Sequence, residues 1–416
     1  MKVFKFGGAS VKDAISVKNV VKVLRTEGYE NTLVVISAMG KMTNAFEAIV
    51  LSYCNQENDL TKNIQFVKDF HTNIINKLFE NTTLKIYNEV DNLFNELNTF
   101  ITTNNNNDYN FIYDQIVGYG ELLSTKIISS YLKDVGIENN WLDVRNFIIT
   151  DSNYRDARVN WTLTQKAMSN NNFNKLSITQ GFLGADKHNY TTTLGREGSD
   201  FTAAVFAYCL QAKNVTIWKD VEGVLNADPR YFNNTKLLHQ ISYAEALEMA
   251  FYGASVIHPK TIKPLENKNI PLYVRSFYKL NNLGTSVAKG SSLVPEMPCF
   301  IVKHKQLFVS ISALDFSFMV EYNLSHIFKV LHNYKLKVNL IQNSALNFSI
   351  CIEDKYGLFE NFLNELKQNY NVIYKTNVSL YTVRHATKEA VAKVEEEGKV
   401  LLKQATGGTV QLIISK

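Results

Sequence analysis

Three stretches of the chain combine glycine with charge in a pattern suited to anion chemistry. The first is Lys5-Phe6-Gly7-Gly8-Ala9-Ser10. Glycines let successive backbone N–H groups turn toward an anion, a helix N-terminus adds partial positive charge, and Lys5 adds a full one. The stretch is not the G-x-x-x-x-G-K-[ST] loop. Two readings therefore stand: a phosphate cradle built on Lys5, Gly7 and Gly8, or a plain strand-to-helix turn with a surface lysine. The second stretch is Thr193-Leu194-Gly195-Arg196-Glu197-Gly198-Ser199-Asp200. Arg196 can clasp a carboxylate with two parallel hydrogen bonds, and Asp200 can accept from an ammonium group or cap the following helix. The third runs from Ile217-Trp218-Lys219-Asp220 through Gly223 to Asp228-Pro229-Arg230. It is either a ligand-binding loop at the end of a strand or an ordinary solvent turn.

The elements that must position these residues alternate between strand and helix patterns. Val3 to Phe6 and Thr32 to Ser37 read as short buried strands flanking a helical pattern over Val11 to Leu24. That rhythm predicts a parallel sheet covered by helices. Residues 44 to 135 are mostly helical in pattern, interrupted by the polar run Asn104 to Asn107. Strands are expected at Ser177 to Phe182, Thr191 to Leu194, Asn214 to Trp218 and Pro271 to Arg275, with helices over Asp200 to Ala212 and Ala244 to Tyr252. Gly284 to Pro298 reads as a linker. Beyond it, strand Leu307 to Ser312, helix Leu324 to Tyr334, strands Lys337 to Gln342 and Leu346 to Ile352, helix Gly357 to Gln368 and strand Asn371 to Tyr374 form a β-α-β-β-α-β unit of ferredoxin-like type. A tail follows, with strand Val378 to Val383, helix Lys388 to Leu402 and strand Val410 to Ile414, too short for a second such unit.

Composition narrows the function. At 416 residues the chain exceeds one compact core and predicts two or three domains. A formal charge of +5 over this length is a mild bias without a basic block, so no nucleic-acid footprint is read. The four cysteines form no C-x-x-C pair, which argues against a disulfide framework or zinc site and fits a reducing compartment. The N-terminus enters a strand pattern with no signal-peptide core, and no apolar run approaches the roughly 20 residues needed to cross a bilayer. The expectation is a cytoplasmic protein without membrane partners.

Six blocks, in order along residues 1 to about 290, carry a family resemblance. Lys5 to Ser10 resembles the K-F-G-G-[TS]-S motif of aspartate kinases, members of the amino acid kinase family. Val34-Val35-Ile36-Ser37-Ala38-Met39-Gly40 with Thr43 and Asn44 resembles the next motif, and Gly118-Tyr119-Gly120-Glu121-Leu122-Leu123-Ser124 resembles G-E-x-L-S. Thr192 to Asp200 resembles T-T-L-G-R-G-G-S-D, Lys219 to Arg230 resembles T-D-V-x-G-x-x-x-x-D-P-R, and Gly253 to Pro259 resembles G-A-K-V-L-H-P. The C-terminal region is similar to the family's ACT region.

The resemblance implies a carbamate-kinase-like three-layer α/β/α catalytic domain over residues 1–290. An ACT-like regulatory region over 300–416 would follow, its second unit incomplete. It implies phosphoryl transfer from ATP, with Mg²⁺ carried mainly by the phosphates and no dedicated protein metal ligand, to the β-carboxylate of L-aspartate. That is the first step toward lysine, methionine and threonine. Lys5, Gly7, Gly8 and Asp200 match the catalytic positions. Ser37, Thr43, Glu121, Phe182, Arg196 and Ser199 match positions around aspartate, and Lys219, Asp220, Arg230 and Ser255 match the nucleotide side. Arg196 would clamp the α-carboxylate and Glu121 attract the α-ammonium. No dehydrogenase-like continuation follows residue 416, so the unfused kinase is expected, as a homodimer with a possible amino-acid effector at the ACT region. The chain departs from the motifs at Ala9, Leu122, Glu197, Lys219 and Ser255, and Asn339 stands where the ACT motif V-D-L-I has Asp. Ser255 replaces a phosphate-facing lysine, for which Lys219 or Lys260 could compensate. These departures keep a binding-only pseudokinase in view as the alternative. Kinases of glutamate, acetylglutamate, carbamate or a nucleotide are disfavoured by the Arg196 and Glu121 pair.

Overall fold

The computed structural model describes residues 1–81, 85–254, 257–315 and 317–416. The chain divides into two compact units. The first comprises residues 1–224, 237–247 and 256–295, and the second residues 225–236, 248–255 and 296–416.

In chain order the first unit begins with β1 (Lys2–Phe6), α1 (Ala14–Glu27), β2 (Thr32–Ile36), α2 (Met42–Cys54), α3 (Leu60–Leu78), α4 (Lys85–Thr103), α5 (Tyr109–Val117) and α6 (Tyr119–Asp134). It continues with β3 (Asn140–Leu142), α7 (Trp161–Ser169), β4 (Ser177–Gln180), β5 (Leu183–Ala185), β6 (Thr191–Thr193), α8 (Gly198–Leu210) and β7 (Asn214–Lys219). Last come β8 (Gln240–Ser242), α9 (Tyr243–Tyr252), which runs on into the second unit, α10 (Pro259–Lys268), β9 (Leu272–Ser276) and β10 (Thr285–Ala288).

Eight strands form one sheet in the order β3-β4-β2-β1-β7-β9-β10-β8. The neighbours from β3 to β9 run parallel. Strand β2 is buried at every residue and β1 at all but its first, as a parallel strand covered by helices on both faces must be. Trp218, fully buried on β7, stacks on Phe6 with ring centroids 6.2 Å apart. Arg275 of β9 lies 4.7 Å over the indole and forms an ion pair with Glu27. This packing fixes the register of the central strands, in which Lys5 stands opposite Ile217.

The second unit is a six-stranded antiparallel sheet. Its elements are β11 (Cys299–Ala313), α11 (Glu321–Asn333), β12 (Lys337–Asn343), β13 (Asn347–Glu353), α12 (Phe359–Leu366), β14 (Tyr370–Arg384), α13 (Lys388–Glu395), β15 (Lys399–Thr406) and β16 (Thr409–Ser415). The strand order is β12-β13-β11-β14-β16-β15. Two long strands, β11 and β14, run through both halves, with register breaks between Lys303 and Phe308. One half packs α11 and α12 over a core that includes Ile311, Phe348, Phe362 and Leu363. The other packs α13 over Val383, Val394, Leu412 and Ile414.

Several boundaries depart from the sequence reading for physical reasons. The first helix is split: a 3-10 turn spans Gly8–Val11, and α1 starts at Ala14, where the Asp13 side chain accepts from the Ser16 N–H. The linker expected over Gly284 to Pro298 holds β10, because Thr285-Ser286-Val287 pairs with β9 on one side and Ser286-Val287-Ala288 with β8 on the other. The tail helix ends at Glu395 and not Leu402. Acidic residues Glu395 to Glu397 oppose the negative end of a helix dipole, Gly398 follows, and the chain then enters β15. The tail strands do not stand alone. Residues Cys299 to Lys303, ahead of the expected ferredoxin-like unit, pair with Leu380 to Arg384, so the second half gains its fourth strand from the front of the chain.

At Gly8 a side chain has no room, since an added Cβ would lie 2.7 Å from the Gly40 carbonyl oxygen and 3.0 Å from that of Ala38. Gly8→Ala is expected to lose about 1–3 kcal/mol through backbone displacement. Urea denaturation checks this, and a wild-type midpoint in the variant refutes it.

Candidate functional site

Strands β4, β2, β1 and β7 are consecutive neighbours in the sheet, and the C-terminal end of each brings one side chain to a common cavity. Phe182 follows β4, Ser37 follows β2, Lys5 is the penultimate residue of β1 and Lys219 is the last of β7. Side chains alternate along a strand, and the pairing of Lys5 with Ile217 places Lys5 and Lys219 on the same face. The cavity holds about 310 Å³ and is lined by Lys5, Ser37, Thr43, Glu121, Phe182, Gly195, Glu197, Gly198, Ser199, Asp200 and Lys219. Open α/β sheets bind ligands at this end of the strands.

Helix starts supply the rest of the lining. Thr43 lies in the first turn of α2, Glu121 in that of α6, and Ser199 and Asp200 in that of α8. Three helix N-termini therefore bring positive partial charge to this region. Glu197, in a left-handed conformation (φ 53°), precedes α8, so Asp200 is not its cap and the capping alternative falls.

Asp200 is buried, and its Oδ1 lies 2.5 Å from Lys5 Nζ and its Oδ2 4.0 Å from Lys219 Nζ. Burial alone would raise the carboxyl pKa, but the two ammonium groups outweigh it and hold the pKa below the usual carboxylate range. Glu121 shows the opposite balance. It is 2 % exposed, and one oxygen accepts from the Ala38 N–H at 3.2 Å while the other is buried with no partner among the described residues. Desolvation with no facing cation pushes its pKa up to about 8.

Two positioning residues escaped the sequence reading. Gln180, buried at the end of β4, donates to Thr125 Oγ1 at 2.7 Å, and Thr125 in turn donates to the Glu121 carbonyl one helical turn back. Asp114, fully buried in α5, accepts from the N–H groups of Arg155 and Thr193 and from Thr193 Oγ1. Burial raises its pKa to about 6 despite those donors. It thereby anchors the strand that leads into the Gly195–Gly198 turn. A single acid inside the apolar run Phe111 to Val117 was the available signal.

Other expected site residues lie elsewhere. Gly7 and Gly8 form the turn after β1, with a Cβ at Gly7 only 3.2 Å from Lys5 Nζ, but they are not lining residues. Arg196 sits on the turn before α8 with its side chain exposed, outside the lining. Asp220 is exposed just past β7. Arg230 belongs to the second unit, where it is bidentate to Asp228. Lys260 pairs with Asp156 and lines a different cavity with Trp161, Phe201 and Tyr208. Ser255 lies outside the described residues. Among the described residues no cluster of three or more His, Cys, Asp or Glu could hold a metal by itself, and no helix is long and apolar enough to cross a membrane.

Residues 1–276 match the amino acid kinase family model. The chain belongs to the amino acid kinase family. It is 33% identical over 298 residues to the bifunctional aspartokinase/homoserine dehydrogenase 2 of Arabidopsis thaliana, covering 69% of this chain and 32% of that protein. It is 29% identical over 359 residues to lysine-sensitive aspartokinase 3 of Escherichia coli, covering 84% and 78%. The chain spans between about a third and a half of the bifunctional relatives it matches. The structure of E. coli aspartokinase III with aspartate and ADP superposes with a TM-score of 0.81 at 25% identity, covering all of this chain and 96% of that one. An aspartate kinase of Clostridium acetobutylicum, at 19% identity, shares the fold with a TM-score of 0.80.

Breaking the buried pair from one side is expected to be costly. Lys5→Met leaves Asp200 facing only the more distant Lys219 and should lose about 3 kcal/mol, near the low end for a buried charge deprived of its partner. The double variant Lys5→Met/Asp200→Asn should recover most of that loss. Because the folded pKa of Asp200 is depressed, its contribution exists above the unfolded pKa near 3.9 and disappears as pH falls through the folded value. Urea melts of the single and double variants test the coupling, and equal stability of the two would remove it.

Proposed function

We propose that this chain is an aspartate kinase, transferring the γ-phosphoryl group of ATP to the β-carboxylate of L-aspartate to give 4-phospho-L-aspartate. The observation that carries the reading is the cavity itself, where two lysines and three helix starts meet Glu121, fully buried and without a cationic partner among the described residues. An acceptor with two carboxylates and one ammonium group suits that distribution of charge. Its β-carboxylate is ionised at neutral pH, with a reference pKa of about 3.9, so the reaction needs no general base. What remains is in-line positioning and neutralisation of phosphoryl charge. In this reading Lys5, the turn of Gly7 and Gly8 and the start of α8 hold the transferred group, while Asp200 keeps Lys5 oriented. Ser37, Thr43, Phe182 and Ser199 surround the acceptor, with Arg196 closing on its α-carboxylate from the rim. Lys219 and Asp220, at the end of β7, serve the nucleotide, which brings Mg²⁺ on its phosphates.

Lys219 lines the cavity and Lys260 does not, which supports Lys219 as the replacement for the lysine missing at Ser255. The reading extends to a cytoplasmic homodimer. In the second unit the Asn339 amide accepts from Lys303 Nζ at 2.9 Å and donates to Gln306 at 2.7 Å. With Asn339 engaged by its own chain, lysine is not the effector we propose, and millimolar lysine should leave the velocity unchanged.

Purified protein with Mg-ATP, L-aspartate and hydroxylamine should yield aspartyl hydroxamate, with no product from glutamate or from the Lys5→Ala variant. Lys219→Ala should raise the KM for ATP about tenfold or more, and Lys260→Ala should leave it near wild type. Nucleotide and aspartate binding without product would replace the kinase with a binding protein.

Glu121 adds a pH signature. In the empty site it is mostly protonated at pH 7, and a bound ammonium group favours its ionised form. Aspartate binding must then release a proton, and affinity should rise by up to about tenfold per pH unit between pH 6 and 8 before levelling. Calorimetric titrations in two buffers read both effects. A Glu121→Gln variant should bind weakly with a flat profile, and an unchanged slope in it assigns the proton to another group.

A further inference from the structure

Glu197 occupies a position that its side chain does not suit. Its backbone is left-handed, at φ 53° and ψ 30°, a region that glycine enters freely and a glutamate seldom does. The resembling motif has glycine there. Its Oε2 is buried without a hydrogen-bond partner, and the residue lines the cavity of Lys5, Lys219 and Asp200. Strain that survives at a ligand cavity directs attention to function, and a buried carboxylate oxygen requires a partner.

The cavity's three carboxylates do not compete equally for a cation. Both oxygens of Asp200 already face lysines. Glu121 accepts from the Ala38 N–H in a pocket that favours its neutral form. Among the described residues, Glu197 alone of the three has neither an ammonium partner nor an N–H donor to its side chain, and it stands directly before the α8 N-terminus, where phosphate groups are favoured. Mg²⁺ in kinase sites is held by one or two carboxylates together with substrate phosphates.

We propose that Glu197 is the protein ligand of the divalent cation that accompanies the nucleotide. The inference rests on the nucleotide reading of this cavity. It assigns a metal contact to a chain whose sequence motifs carry none, and it explains how a negative charge is tolerated beside a polyphosphate: the cation lies between them.

The test uses the whole chain with Mn²⁺ and ADP, read by electron paramagnetic resonance and without turnover. Wild-type protein should bind Mn²⁺ in the presence of ADP, with hyperfine coupling to protein labelled with ¹³C at the glutamate carboxyl carbons. Glu197→Gln should weaken that binding by about tenfold or more and abolish the coupling. Glu197→Gly, whose backbone suits the left-handed turn, should do the same and serves if the glutamine variant does not fold. Unaltered or tighter Mn²⁺ binding in either variant overturns the proposal. Failure of wild-type protein to bind ADP at all would instead overturn the nucleotide reading on which it rests, a result separable because ADP binding is measured without metal as well.

Discussion

The contact between Lys5 and Asp200 is the constraint around which the first unit is arranged. A lysine on a central parallel strand and an aspartate in the first turn of a helix are both taken out of water, and neither would be stable there without the other. Their pairing fixes α8 against β1, on which it also packs. That places the start of α8 over the strand ends. A hydrophobic pair at these two positions would pack as well, but it would leave no ammonium group held in place for an anion. The arrangement therefore makes sense as a site more than as a stabilising device.

The parallel sheet does the remaining work of assembly. Every parallel strand ends on the same side, and each βα connection starts a helix there. Residues distant in the chain, at 5, 37, 182 and 219, consequently arrive as neighbours across β4-β2-β1-β7. The helix starts add their dipoles without further charged residues. Behind the strands, the stack of Phe6, Trp218 and Arg275 keeps the register that puts Lys5 and Lys219 on one face. A slip of either strand by one residue would turn its lysine to the opposite face.

Much of this is written locally in the sequence. The β-branched runs, the glycine turns and the charged residues beside them are short-range signals, and they locate β1, β2 and β7 with Lys5, Asp200 and Lys219, whereas Ser37, Thr43, Glu121, Phe182 and Ser199 were reached only through the family resemblance. Long-range partners are not written that way. Nothing near Asp114 tells that its acceptors serve Thr193, and nothing near Gln180 tells that it holds Thr125. The pairing of Cys299 to Lys303 with Leu380 to Arg384 likewise spans about eighty residues and was invisible to a pattern that reads strands in order. Arg196 shows the converse limit: a motif gives its type, while its exposed side chain shows that the turn alone does not direct it into the cavity.

The departures from the family motifs become coherent once their positions are known. Ala9 is exposed, so it alters no buried contact, and Leu122 is 3 % exposed among apolar neighbours of α6, where a leucine is the easier residue to bury. The remaining changes concern charge. Lys219 adds a cation to the cavity and Glu197 adds an anion to the same cavity. Within the cavity these two offset one another, Lys219 placing a positive charge at the end of β7 and Glu197 a negative one before α8. Asp200 restrains the first by facing Lys219. The second faces no lysine among the described residues, and a carboxylate in that condition is complementary to a cation brought by the ligand. The substitutions thus replace the positive charge lost at Ser255 with one at Lys219 and add a negative charge at Glu197.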